Sequence, residues 1–157
     1  MRYDGAPVRQ RTVMPPAGVY TSARVGGVMD ERSSTKPRIA ILEDHEDTRD
    51  LLRVALSDAF SVRDFRDAAD LLAALEQETF SVVVADIMLP GLDGYALIRT
   101  LRNDPRFADQ CVIALTALAM AADREKAMTA GFTDYLVKPI TPDEIERVVS
   151  TYCTRSS

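Results

Sequence analysis

The chain has 157 residues, of which 46% are hydrophobic and 27% charged, with a net charge of -5. This suits one ordinary core plus an appendage, and the lack of any apolar run of about 18 residues excludes a membrane span. The charge is uneven. Residues 1–36 hold six Lys/Arg against three Asp/Glu, whereas the remainder holds thirteen against twenty-one, so a basic arm precedes an acidic domain that the phosphate backbone of a nucleic acid would repel.

Residues 1–36 carry Pro7, Pro15, Pro16, Gly18, Gly26, Gly27, Ser33 and Ser34 without helical or strand period, which predicts a disordered arm. A basic docking arm is the alternative. The arm lacks the continuous apolar stretch of a secretory signal, and Met29 is a possible second start. Cys111 and Cys153 form no framework and no CxxC, which suits a reducing cytoplasm.

From residue 37 to 154 the pattern is that of a domain, followed by a short tail at 155–157. "PRIAILED" predicts a strand ending in two acids, and "DTRDLLRVALSDAF" a helix with apolar residues at helical spacing. "SVRDF" is the second strand, and "DAADLLAALEQ" a helix capped by Asp67. "FSVVVAD" is the third strand, its Val82–Val83–Val84 run buried on both faces before Asp86, Pro90, Gly91 and Gly94. "DGYALIRTLRND" is a helix stopped by Asn103, Asp104 and Pro105, and "CVIALTA" the fourth strand. "MAADREKAMTAG" is a helix with a left-handed cap at Gly131. "TDYLVKP" is the fifth strand and "TPDEIERVVSTYC" the last helix, with Thr141 as cap and Pro142 first in the helix. Strand and helix alternating five times predict an α/β fold, a parallel sheet with helices on both faces.

In such folds sites form outside the carboxyl ends of the strands. There the sequence places Glu43 and Asp44, Asp86, Thr116 and Lys138. Singly, Asp86 reads as a cap, Thr116 as a strand former and Lys138 as a surface lysine. Jointly, four strand ends carry complementary chemistry. Two like charges at 4 Å repel by roughly 1 kcal/mol in water and about 4 kcal/mol at an effective dielectric near 20. Lys138 alone does not balance three carboxylates, and a hard divalent cation such as Mg2+ fits the oxygen donors. Asp86 would then be an ionised nucleophile suited to an aspartyl phosphate, with Lys138, Thr116 and the cation stabilising the transferring phosphoryl group. The lone His45 receives no role, and Met88, Met120 and Met128 read as packing or loop residues.

The motifs "ILED", "VVVADIMLPGLDGY", "ALTA" and "YLVKP", in this order, resemble the receiver domain of bacterial two-component response regulators over about Arg38 to Thr151. The resemblance implies a flavodoxin-like, doubly wound, five-stranded parallel sheet phosphorylated by a sensor histidine kinase or histidine phosphotransfer protein. It makes Asp86 the phosphoacceptor. It gives Mg2+ the ligands Glu43, Asp44, Asp86 and the Met88 backbone carbonyl. Thr116 becomes the switch hydroxyl, Lys138 the ion-pairing lysine before a cis Pro139, and Tyr135 the aromatic switch. The expected protein is a phosphoacceptor, not an enzyme, that acts in the cytoplasm on a downstream protein target and touches neither nucleic acid nor membrane. It departs from the family pattern in having Glu43 where aspartate is commoner, which leaves room for a contact through water. It also ends at Ser157 without an output domain, so a stand-alone receiver is implied.

Three other classes compete. An FMN-binding flavodoxin-like protein needs a Ser/Thr/Gly-rich loop after the first strand, where this chain has "EDHEDTRD". A phosphatase with an Asp nucleophile wants a second acid at position 88, which is Met. A receiver-like adaptor that is never phosphorylated would lack Asp86 or Lys138, and both are present.

Overall fold

The computed structural model describes residues 36–89 and 93–155. The expectations for residues 1–35, for Pro90 and Gly91, and for residues 156–157 lie outside them. In chain order the elements are β1 (Arg38–Leu42), α1 (Glu46–Leu56), β2 (Ser61–Phe65), α2 (Ala68–Gln77), β3 (Val82–Asp86), α3 (Gly94–Arg102), β4 (Val112–Thr116), α4 (Ala121–Ala130), β5 (Asp134–Val137) and α5 (Pro142–Arg155). The strands form one parallel sheet in the order β2-β1-β3-β4-β5. The alternation predicts the parallel sheet, and the strand order is the doubly wound, flavodoxin-like arrangement that the resemblance implies.

Side chains of a strand alternate between the two faces, and the sheet therefore carries two apolar layers. Ala40, Leu42, Val83, Ala85, Val112 and Ala114 pack with Leu71, Leu75, Leu97, Ile98 and Leu101 of α2 and α3 and with Ala127 of α4. Ile39, Ile41, Val82, Val84, Ile113 and Leu115 pack with Leu52 and Leu56 of α1 and with Ile145, Val148 and Val149 of α5. β3 and β4 are buried at every position, which is why their sequences are unbroken apolar runs.

Local chemistry sets the ends. The Asp67 carboxylate accepts the Asp70 amide at 2.9 Å, and the Thr141 hydroxyl accepts the Glu144 amide at 3.1 Å. Gly131 closes α4 with φ 119°, in the left-handed region. Two ends differ from expectation, those of α1 and α5. α1 stops at Leu56 rather than Phe60, because residues 57–60 turn to place Phe60 in the α1–α5 layer, its amide donating to Leu56 O at 2.9 Å. α3 stops at Arg102 before its Asn103 cap, as expected, and the Arg102 guanidinium donates to the carbonyls of Phe107, Ala108 and Gly131. α5 runs through Arg155, so the segment expected as a tail from residue 155 starts later. Among the described residues no helix is long and apolar enough to cross a membrane.

Gly94 brings α3 against the end of β3. A Cβ there would lie 2.6 Å from Ile87 Cα and 3.1 Å from the carbonyl oxygen of Asp86. Both are backbone atoms, so no side chain can swing aside. Gly94→Ala is therefore expected to destabilise by about 1–3 kcal/mol through overpacking, read as a fall of several degrees in the thermal midpoint. An unchanged midpoint would show that α3 has room to move away.

Candidate functional site

Strand order reverses between β1 and β3, and their carboxyl ends form the rim where the acidic residues meet. Glu43 and Asp44 follow β1, Asp86 is the last residue of β3, Thr116 is the last of β4, and Lys138 follows β5. The local backbone obeys one rule at three of these strand ends. Glu43 Oε2 accepts the amide of His45 at 3.1 Å, Asp86 Oδ1 that of Met88 at 2.9 Å, and Thr116 Oγ1 that of Leu118 at 3.1 Å. Each side-chain oxygen takes the N–H two residues on, the turn that Asp, Ser and Thr favour, and so curls the loop over the sheet edge. Lys138 is held by its main chain, its amide donating to Thr116 O at 2.8 Å.

The electrostatics centre on the Lys138 ammonium. Its Nζ lies 2.9 Å from Asp86 Oδ2, as an aligned hydrogen bond, and 2.9 Å from Glu43 Oε1. The second contact has ion-pair distance but not hydrogen-bond direction. Glu43 Oε1 is the buried side-chain oxygen left without a hydrogen bond among the described residues. Glu43 has no exposed surface, whereas Asp44 is exposed. Burial pushes the Glu43 carboxyl above its ordinary value and Asp86 adds to this, while Lys138 and the His45 amide pull the other way. Burial would lower the Lys138 ammonium, but the Glu43 and Asp86 carboxylates outweigh it and hold it above the usual lysine value.

Oxygens of Glu43, Asp44 and Asp86 lie within 4.8 Å of one another. Three carboxylates against one ammonium leave a charge of -2 when all are ionised. An all-oxygen donor set, a buried acceptor without a donor and that residual charge fit a hard divalent cation.

Tyr135 lies apart from the carboxylates. It is 4% exposed, within the layer built on α2, α3 and α4, and its hydroxyl donates to Leu118 O. Leu118 thus joins it to Thr116. The Lys138–Pro139 peptide is cis, as the resemblance implies. His45 precedes α1 and contributes its amide. Met88 and Met120 are exposed.

One contributor escaped the reading of the sequence. Arg49 on α1 is buried and pairs with Asp64 of β2, Nε to Oδ2, at 3.1 Å. Its Nη1 donates to Glu43 O at 3.1 Å, with Asp44 O at 3.4 Å. The signal was its spacing from Leu52 and Leu56, the other buried residues of α1: a charge on the apolar side of a helix requires a partner.

A family model described as the response regulator receiver domain matches residues 39–150. An uncharacterised 14.6 kDa protein of Leptolyngbya boryana is 40% identical over 116 residues, covering 73% of this chain and 88% of that protein. The transcriptional regulatory protein GltR of Pseudomonas aeruginosa is 40% identical over 108 residues, covering 68% of this chain and 45% of its own length. The match thus spans about half or less of most of the curated relatives. Among solved structures, the BeF3-activated DrrB receiver domain has a TM-score of 0.69 at 29% identity, covering 76% of this chain and 99% of its own. The receiver domain of sensor histidine kinase PA1611 of Pseudomonas aeruginosa, with magnesium in its active-site cleft, has a TM-score of 0.69 at 28% identity, covering 76% and 98%.

The raised Glu43 carboxyl has a stability consequence. The stabilisation tied to its protonated form is complete below about pH 4.5 and is lost as pH rises through the raised value in the folded state. At pH 7 without divalent cations, Glu43→Gln is expected to raise the thermal midpoint and to flatten that pH limb. Midpoints recorded in chelator across pH 4–8 check this, and a lower midpoint for the variant at pH 7 would contradict it.

Proposed function

The chain belongs to the response regulator receiver domain family of two-component signalling, and from that premise we propose that Asp86 is its phosphoacceptor. The donor is the phosphohistidine of a sensor histidine kinase or of a histidine phosphotransfer protein. The observation that carries the reading is the Lys138 ammonium 2.9 Å from Asp86 Oδ2 beside a three-carboxylate cluster. An Asp86 oxygen attacks phosphorus, the P–N bond to the imidazole breaks, and the imidazole takes up a proton as it leaves. The Met88 amide and Lys138 orient the Asp86 carboxylate beforehand, which removes part of the entropy cost of the step.

Glu43, Asp44, Asp86 and the Met88 carbonyl would hold Mg2+. When bound, it supplies positive charge that screens the nucleophile from the anionic phosphoryl group and stabilises the transferring oxygens. Lys138 adds a donor to the same group. The protein acts as a phosphoacceptor that assists its own phosphorylation and dephosphorylation, not as an enzyme turning over an external substrate. It works in the cytoplasm through a protein target, without contact with nucleic acid.

Phosphorylation places negative charge and acceptor oxygens at the rim. The Thr116 hydroxyl can donate to one of these while its oxygen holds Leu118, whose carbonyl holds Tyr135. Movement of Thr116 is therefore transmitted to Tyr135 through Leu118. Tyr135 is already inward, so the response is a repacking of the Leu118 segment around it.

Incubation with Mg2+ and acetyl phosphate should add the mass of one phosphoryl group to the intact protein, and Asp86→Asn should abolish the gain. A variant that still forms an acyl phosphate at the wild-type rate would show that another carboxylate is the acceptor. Thr116→Ala should still be phosphorylated, while beryllofluoride-induced amide shifts at Leu118 and Tyr135 shrink in NMR spectra. Full-sized shifts at both residues would sink the hydroxyl as trigger.

A further inference from the structure

Arg49 belongs to neither the acidic cluster nor the switch, yet it is the charged residue that α1 buries, at 5% exposure. We propose that Arg49 is a positioning residue for the cation-binding acids: it clamps the main chain of Glu43 and Asp44 between α1 and β2. The inference rests on the reading that Glu43, Asp44 and Asp86 hold Mg2+.

The clamp has two anchored edges. Nε donates to Asp64 Oδ2 at 3.1 Å, and Arg53 Nη1, 3.2 Å from the same oxygen, fixes that carboxylate from a second side. Nη1 donates to Glu43 O at 3.1 Å and stands 3.4 Å from Asp44 O. A planar guanidinium fixed at two edges has its orientation set. The Glu43 amide donates to Phe65 O of β2 at 3.1 Å, so its two main-chain polar groups are held from two elements, the amide by β2 and the carbonyl by Arg49 of α1. Beyond that point the chain has left the sheet, and Arg49 adds a main-chain restraint on residues 43 and 44 to the turn closed by the Glu43 carboxylate and the His45 amide.

Two effects of Arg49 on a bound cation have opposite signs. Its positive charge behind the acids repels a dication, so its removal alone would tighten binding. Its clamp orders the ligands, so its removal would loosen binding. Asp64, in contact with the guanidinium, cancels most of the charge effect, which leaves positioning to decide the sign. A purely structural Arg49 would change stability and leave affinity alone.

The test is binding of Mn2+ to the full chain, followed by the electron paramagnetic resonance of the free ion, with Mg2+ as competitor. Arg49→Gln is expected to weaken binding by about 10-fold or more, the usual range for residues that orient metal ligands. Arg49→Lys, which keeps the charge and loses the fork, should weaken it by a smaller factor. Leu52→Ala, buried on the same side of α1, should lower the thermal midpoint and leave affinity within about twofold. Arg49→Gln binding as tightly as wild type or tighter would overturn the proposal. If that variant does not fold, Arg49→Lys decides: weakened binding supports the clamp, and wild-type affinity overturns it. Failure of the underlying reading looks different, because wild type itself would then take up no Mn2+, or Asp86→Asn would bind it as wild type does.

Discussion

One ammonium group standing between two carboxylates is the interaction on which the rest depends. Lys138 Nζ reaches Asp86 and Glu43 at the same 2.9 Å, from a strand separated from β3 by β4. The three residues come from distant parts of the chain, so the contact exists only when the whole sheet has formed. Removing the shared ammonium would leave the two carboxylates facing each other without a counter-charge, and loss of one partner of a fully buried pair costs about 3–5 kcal/mol. The cost is smaller here because the Lys138 side chain keeps 23% of its surface exposed. That exposure gives an incoming anion a path to the lysine. The stability of the edge and its chemistry therefore draw on one contact.

The sheet prepares this edge by repetition. Glu43, Asp86 and Thr116 each fold their own loop back by accepting the amide two residues on. A carboxylate or hydroxyl at a strand end thus serves as turn-former and stands at the rim where the proposed chemistry takes place. Such groups are oriented before any ligand arrives, and the buried apolar strands beneath them resist displacement. Gly94 completes the frame by letting α3 approach the end of β3 more closely than any side chain would permit.

Much of this was legible in the chain. Continuous apolar runs such as Val82–Val83–Val84 announced strands covered on both faces. Asp67, Thr141 and Gly131 announced helix ends, because their chemistry is local and needs no knowledge of the fold. Charged residues at three strand ends and the Thr116 hydroxyl at a fourth announced the rim. What the sequence hid depends on long-range partners. Glu43 and Asp44 look alike in sequence, yet one is fully buried and the other exposed. Arg49 resembles any helical arginine until Asp64 of β2 is brought beside it. The resemblance marks Tyr135 only as the aromatic switch, and its buried position comes with a hydrogen bond to Leu118 that no spacing reveals. The end of α1 shifted where a tertiary contact outweighed local preference, as with Phe60.

Asp64 has a second consequence. It lies on β2, an outer strand of the sheet, whose other edge has no strand beside it among the described residues. An outer strand of a parallel sheet offers unpaired backbone groups to any extended chain. β2 alternates burial, with Ser61 and Arg63 exposed, and Arg63 and Arg38 both pair with Glu78 beside it. Strand addition there would have to desolvate or displace these charges. The acid that anchors Arg49 beneath the reactive rim thus belongs to a charged border that discourages the sheet from growing into a second molecule, and so guards the chain against self-aggregation.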